Sequence, residues 1–107
     1  MKQFEIWATA GGTYSSKPRP SVIVQAVAFD DLESVTVVPI TTTDLDADFR
    51  VALAPSEANG LQKPSFAMVD KITTIRKTGL QQKIGELSEE EAGHISQAIA
   101  DFLQIKE

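Results

Sequence analysis

The chain has no cysteine and a single histidine in 107 residues. Disulfide bonds and thiol chemistry are excluded, and so are a Cys/His zinc site and a Cys–His nucleophile pair. A ribonuclease built on two histidines is excluded with them. The one histidine, His94, lies beside an apolar stripe in the last predicted helix, where a partly exposed helix residue is the ordinary reading. No apolar run approaches the length of a membrane span. No basic and apolar leader opens the sequence, so the expected location is cytoplasmic, with no membrane partner. Glycine-rich phosphate loops of the Walker or dinucleotide type are missing, and Gly11–Gly12 alone does not make one. Asp44, Asp46 and Asp48 lack the glycine and distal glutamate of a calcium loop. No metal site and no cofactor are expected.

What is present fits an ordinary folded chain, with 42% hydrophobic and 23% charged residues. The length fits a single domain over residues 1–107, close to the size where a second copy often adds needed burial. The formal net charge of −5 argues against a nucleic-acid partner taken alone. Its distribution is uneven. From Gly60 to Gly85 the charged residues are Lys63, Lys71, Arg76, Lys77 and Lys83 against Asp70 alone. From Phe29 to Asp48 there are six acidic residues and no basic one. Two readings stay open, a set of ordinary solvated faces and a basic groove on an acidic body.

Periodicity predicts strands over Gln3–Ala8, Ser21–Phe29, Val35–Ile40 and Phe49–Leu53. Pro39 implies an edge or a bulge near the end of the third. Thr9–Pro18 is a loop long enough to be functional. Pro55–Gly60 reads as one helical turn ended by Asn59–Gly60. Ser65–Ile75 carries one or two strands around Asp70–Lys71, and a brief strand precedes Leu87. The last element is the clearest. Ser88 and Glu91 form a capping box, Glu89–Glu91 suit a helix N-terminus, and Ala92, Ile95, Ala98, Ile99, Phe102 and Leu103 recur at helical spacing. The expected fold is α+β, a small and strongly curved antiparallel sheet or barrel with a C-terminal helix.

Chemistry has few places to reside. Arg19 stands between Pro18 and Pro20. Each proline fixes its own φ and pushes the residue before it towards extended geometry, so Arg19 is a stiffly mounted cation. Thr41–Thr43 is a run of hydroxyls at a strand end. Asp70 interrupts an apolar run, where a carboxylate most often pairs with a cation or the backbone.

These pieces occur in a recognisable order: Arg-Pro leading into a β-branched strand, "VVPITT", an Arg-Val pair, "GLQKPS", "MVDKITTI", and "IGELSEEE" before the helix. Together they resemble the MazF/PemK (Kid) family of toxins from type II toxin–antitoxin systems, over nearly the whole chain. The resemblance implies a compact SH3-like barrel of the MazF/CcdB type that forms a homodimer and is silenced by a cognate antitoxin. It implies a metal-independent endoribonuclease that cleaves single-stranded RNA through attack of a 2′-hydroxyl on the adjacent phosphate. The family's catalytic arginine falls on Arg19 and its catalytic threonine on Thr41. Lys17, Thr42, Phe49 and Asp70 fall on the RNA-binding groove, with Asp70 also an acid–base group in some members. The charge requirement agrees, because in-line attack loads the phosphoryl oxygens with negative charge that a planar, permanently charged guanidinium can meet. A guanidinium is a poor proton donor, so Arg19 is assigned electrostatic stabilisation and the general base is left open.

The chain departs from the family pattern at three positions. Phe4 stands where a glycine commonly precedes the acidic residue of the first strand, Tyr14 where some members have a glutamate, and Met68 where some have a second arginine. Arg19 and Thr41 are intact. Two alternatives share the fold: a non-enzymatic, CcdB-like gyrase-poisoning toxin, and an inactive binding module. The start "MKQFEIW" is similar to the CcdB type, but that type's gyrase-binding C-terminal tryptophan is absent from "FLQIKE".

Overall fold

The computed structural model describes residues 1–10 and 18–105. Lys17 and Tyr14 therefore lie outside the described residues, as does Gly11–Gly12. The strands are β1 (Glu5–Thr9), β2 (Arg19–Ile23), β3 (Ser34–Thr41), β4 (Arg50–Leu53), β5 (Ser65–Met68), β6 (Thr73–Arg76) and β7 (Leu80–Glu86), followed by helix α1 (Glu89–Leu103). All recorded pairings are antiparallel. The strand order is β4-β5-β3-β2-β1-β7, with β6 paired to β3 off that path.

The curved antiparallel sheet and C-terminal helix are as expected, but the sheet is not closed into a barrel. The ends of the path, β4 and β7, do not pair with each other. Helix α1 packs instead against β4 and the 3₁₀ turn at Val69–Lys71. Its Ile95, fully buried, inserts among Ile6, Val22, Val38, Ile40, Leu53 and Val69. A helix thus fills a hollow that a closed barrel would fill with side chains from its own strands.

Strand β3 organises the rest. One of its edges takes β2 (Ser21↔Pro39 to Ile23↔Val37). The other takes β6 over Ser34–Val37 and then β5 at Ile40 and Thr41. Its buried residues change phase at the same place. Val35 and Val37 pack with Ile23, Trp7, Ile75 and Leu80 on one face, whereas Val38 and Ile40 pack on the helix-covered face. Pro39 is accordingly not on an edge strand. Val24 N–H donates to Thr36 O (3.1 Å), so the even-numbered residues of β3 present their backbone groups to β2. The amide that Pro39 lacks would face the other way, into the interval between β6 and β5, where no ladder bond is needed.

Two other expectations change in detail, and a third, left open between one strand and two, is settled. The second strand ends at Ile23, and Val27–Phe29 is a 3₁₀ turn. Gln25 ties this turn down: its amide donates to Phe29 O (2.9 Å) and its carbonyl oxygen accepts from Thr36 N–H (3.1 Å). The segment Ser65–Ile75 is two strands hinged at the Val69–Lys71 turn. The final strand has seven residues and is not brief. Phe4, where the resemblance expects a glycine, holds φ 69°, a left-handed backbone conformation that glycine favours.

The helix start is locked to the β4–β5 connection by one buried side chain. Ser88 and Glu91 form the capping box, and Glu91 Oε2 also accepts from Asn59 Nδ2 (3.2 Å). Asn59 is fully buried. Its Nδ2 donates to Ala54 O (2.8 Å), and its Oδ1 accepts from the amides of Ser56 (3.0 Å) and Leu61 (2.9 Å). A Cβ on Gly85 would collide with the Asn59 backbone, so only glycine lets β7 pass this close. Asn59→Ala removes the partner of two amides and a carbonyl, each hydrogen bond contributing roughly 0.5–1.5 kcal/mol, and empties the buried site of the side chain. The expected outcome in urea unfolding is a loss of about 3 kcal/mol or more at unchanged m-value. A loss below about 1 kcal/mol would show that the connection does not depend on this side chain.

Candidate active site

The β2–β3 register places the two leading site residues. The recorded pairing ends at Ser21↔Pro39, and Arg19 and Thr41 each lie two residues past that last pair. Both are still in strand. Arg19 and Thr41 line one groove of about 270 Å³ together with Pro20, Ile40, Thr42 and Ser65.

Each group in this groove is held by its backbone rather than by a competing ion. The Arg19 carbonyl accepts from the Thr9 hydroxyl (3.1 Å), which ties the start of β2 to the end of β1. Arg19 is exposed and forms no ion pair among the described residues. Arg50, Lys71, Lys77 and Lys83, in contrast, each sit against a carboxylate. Thr41 Oγ1 accepts from Thr43 N–H (3.2 Å). That bond uses a lone pair and leaves the hydroxyl proton free to be donated into the groove. A permanently charged guanidinium on a tethered backbone, lining the same groove as a free hydroxyl donor, is an anion-binding arrangement suited to phosphate.

Phe49 and Asp70 lie elsewhere. Asp70 accepts from Arg50 Nε (2.7 Å) and Nη2 (3.1 Å), with side chains only 14% and 10% exposed. Lys71 Nζ is 3.8 Å away. Burial pushes the Asp70 carboxyl up, but the Arg50 hydrogen bonds and charge, helped by Lys71, hold it below the usual aspartate value. Phe49 packs on Phe102 (5.8 Å between centroids), and the Arg50 guanidinium lies over its ring. These residues join β4, the Val69–Lys71 turn and α1, and neither Phe49 nor Asp70 lines the groove of Arg19 and Thr41. Sequence reasoning also missed Ser65 of this groove. Ser65 belongs to "GLQKPS", whose only signal was a cation placed before a proline, as at Arg19.

A second buried acid lies in β1. Glu5 Oε1 accepts from Trp7 Nε1 (3.0 Å) and Lys2 N–H (2.8 Å), and Oε2 pairs with Lys83 Nζ (3.1 Å). Burial raises its carboxyl, but those donors and the ammonium bring it down to about 2. Lys83 is raised by its bonds to Glu86 and then Glu5. Among the described residues no group of three or more His, Asp or Glu side chains converges as a metal site, and no helix is long and apolar enough to cross a membrane.

Comparison with known proteins decides the family. Residues 2–103 match the model of the PemK-like, MazF-like toxins of type II toxin–antitoxin systems. The chain belongs to that family. It is 41% identical to a probable endoribonuclease MazF of Mycolicibacterium smegmatis, with 98% of both chains covered. Among solved structures, the Mycobacterium tuberculosis toxin MazF-mt6 is 29% identical and superposes with a TM-score of 0.82, covering 96% of this chain and 99% of that one. A mycobacterial endoribonuclease solved with its cognate antitoxin shares the fold at 23% identity, with a TM-score of 0.83 over 100% and 98% of the two chains. A MazF-type toxin therefore carries Arg19 and Thr41 across one groove, and its acids Asp70 and Glu5 are tied to partners outside that groove.

The Glu5 contacts set a direction for acid stability. The folded-state value near 2 lies below the ordinary value of 4.5, so the stabilisation is present above about pH 4.5 and is lost as pH falls towards 2. Its size is on the order of 3 kcal/mol. Relative to the native chain, Glu5→Gln should be less stable at neutral pH, and the gap should close as pH falls to about 2. A gap constant with pH in urea titrations would remove Glu5 as its source.

Proposed function

We propose that this chain is the toxin of a toxin–antitoxin pair and acts in the cytoplasm as a metal-independent endoribonuclease on single-stranded RNA. The observation that carries the reading is that Arg19 and Thr41 line one groove just past the last β2–β3 pair, with no ion pair on the cation among the described residues. The 41% identity to a probable endoribonuclease supports it.

In the proposed reaction a ribose 2′-oxygen attacks the adjacent phosphorus. The bond from phosphorus to the 5′-oxygen breaks, and proton transfer from the 2′-hydroxyl and to the 5′-oxygen completes the exchange. The products are a 2′,3′-cyclic phosphate and a 5′-hydroxyl. Arg19 meets the charge that develops on the phosphoryl oxygens, and preorganised donors at such a site are worth roughly 3–4 kcal/mol each. Thr41 donates its free proton to the same phosphate, and Thr42 contacts the strand beside it. Lys17 would add a cation before Pro18. Phe49 enters as the far end of the RNA path. Asp70 enters there too, positioning Arg50 rather than carrying a proton, because its carboxyl is held low. The single domain pairs as a two-fold homodimer, and the antitoxin lays an acidic segment over the Arg19 groove in competition with RNA.

Purified protein acting on a long unstructured RNA in the presence of chelator tests the reading. Cleavage should leave cyclic phosphate ends and should fail on the matching DNA, which lacks the nucleophile. Arg19→Ala should lower kcat by about 10²–10³-fold. Thr41→Val should lower it about tenfold or more, and Thr41→Ser should recover most of that, as expected for one lost hydrogen bond to a charged group. Intact RNA with folded protein would overturn the enzyme reading and favour a gyrase-binding toxin or an inactive module.

A further inference from the structure

A second groove continues the first. It measures about 360 Å³ and shares Pro20, Thr42 and Ser65 with the groove of Arg19 and Thr41. Its far wall is the turn Gly60–Lys63, and its floor is Leu61 and Ile84. Gln62 and Lys63 are exposed there and neither side chain has a hydrogen-bond or ion-pair partner among the described residues. The opening therefore offers an apolar floor, an unpaired amide and an unpaired cation.

The turn is fixed as firmly as the mount of Arg19. Lys63 precedes Pro64 just as Arg19 precedes Pro20, so both cations are held to extended geometry by the proline that follows. The Ser65 hydroxyl donates to Lys63 O (2.8 Å), which uses its proton to pin the turn and leaves phosphate binding to Lys63. Gly60 holds φ 71°, and a Cβ there would collide with the Ile84 carbonyl. Asn59 accepts the Leu61 amide from beneath. A wall already ordered in this way loses little entropy when a ligand arrives.

We infer that this second groove is a nucleotide subsite: Lys63 takes a backbone phosphate next to the scissile one, and Gln62 reads the edge of the base lying over Leu61 and Ile84. The inference rests on the RNA-cleaving reading above. A lysine ammonium is a compact charge that binds phosphate without regard to sequence. A glutamine amide presents a donor and an acceptor side by side and so discriminates between bases. The groove therefore separates affinity from sequence choice, with one residue assigned to each.

The test uses the full chain, with Lys63→Ala, Lys63→Arg and Gln62→Ala beside it, on short RNAs carrying each base at each position flanking the cleaved bond. Both sites are exposed, so melting temperatures should match the native chain. Lys63→Ala should raise KM about five- to thirtyfold with kcat within about twofold, equally for all sequences. It should also flatten the slope of log KM against log salt by about 0.7, one single-strand phosphate contact, and Lys63→Arg should restore the slope. Gln62→Ala should flatten the preference at one flanking position about tenfold and leave the others alone. If the native chain cleaves RNA while Lys63→Ala keeps its KM and salt slope and Gln62→Ala keeps its base preference, the subsite is overturned and the enzyme stands. If the native chain leaves every RNA whole, the enzyme reading fails and the subsite fails with it.

Discussion

One strand serves three partners, and the rest of the molecule depends on how it does so. β3 pairs with β2 along one edge and passes from β6 to β5 along the other. It can do this only by changing which face it buries, and the sequence Val35-Thr36-Val37-Val38-Pro39-Ile40 makes that change at the Val37–Val38 step. Alternation places Val35 and Val37 on one face, and the doubled valine then starts a second alternation on the other. Pro39 sits where the outer edge is between partners, the one place in a central strand where a missing donor costs nothing. The end of β3 is thereby freed from β2 while still in strand geometry, and the groove of Arg19 and Thr41 opens at that divergence.

The legible parts of the sequence were those where one local pattern decides the structure. The capping box at Ser88 and Glu91 fixes a helix start whatever packs on it, and Ile95 is buried where its spacing put it. The β-branched run of β3 could hardly be anything else. Legibility failed where a tertiary contact overrides the local pattern. Val27–Phe29 has strand composition, yet Gln25 bonds to both Phe29 and Thr36 and turns the chain into a 3₁₀ turn. Phe102 and Leu103 continue the apolar stripe of α1 but remain about half exposed, because the core under the helix ends near Ile99. Closure of the sheet is a property of how far curvature accumulates over six neighbours, and no residue in the sequence states it.

The site divided in the same way. Arg19 and Thr41 were readable because prolines and β-branched neighbours act within a few residues of each. That they meet depends on the antiparallel register, which is non-local and follows from the hydrophobic face each strand must bury. Asp70 was readable as a carboxylate needing a partner, but its partner lies twenty residues away in β4. The basic stretch Gly60–Gly85 was read as a possible groove, and most of it is not one. Lys71 sits against Asp70, Lys77 against Asp30, and Lys83 against Glu5 and Glu86. Counting charges along a sequence overstates the field of a surface whenever the cations are paired.

That pairing gives the groove its character. A chain of net charge −5 repels a polyanion at long range, but salt screens that repulsion beyond roughly 8–10 Å. What remains at contact distance is set by the cations that no carboxylate neutralises, and among the described residues Arg19 lies in the groove as one of them. Beside it, Thr42 leads directly into Asp44, Asp46 and Asp48, all exposed. These acids follow the groove residues along the chain and oppose any ligand that presents many phosphates at once, such as a rigid duplex. A single strand can bend a few phosphates towards fixed cations and carry the others away from the acids. On the RNA-cleaving reading proposed above, selectivity for flexible strands would follow from an acidic body around a sparsely charged groove, and it would need no reading of base sequence.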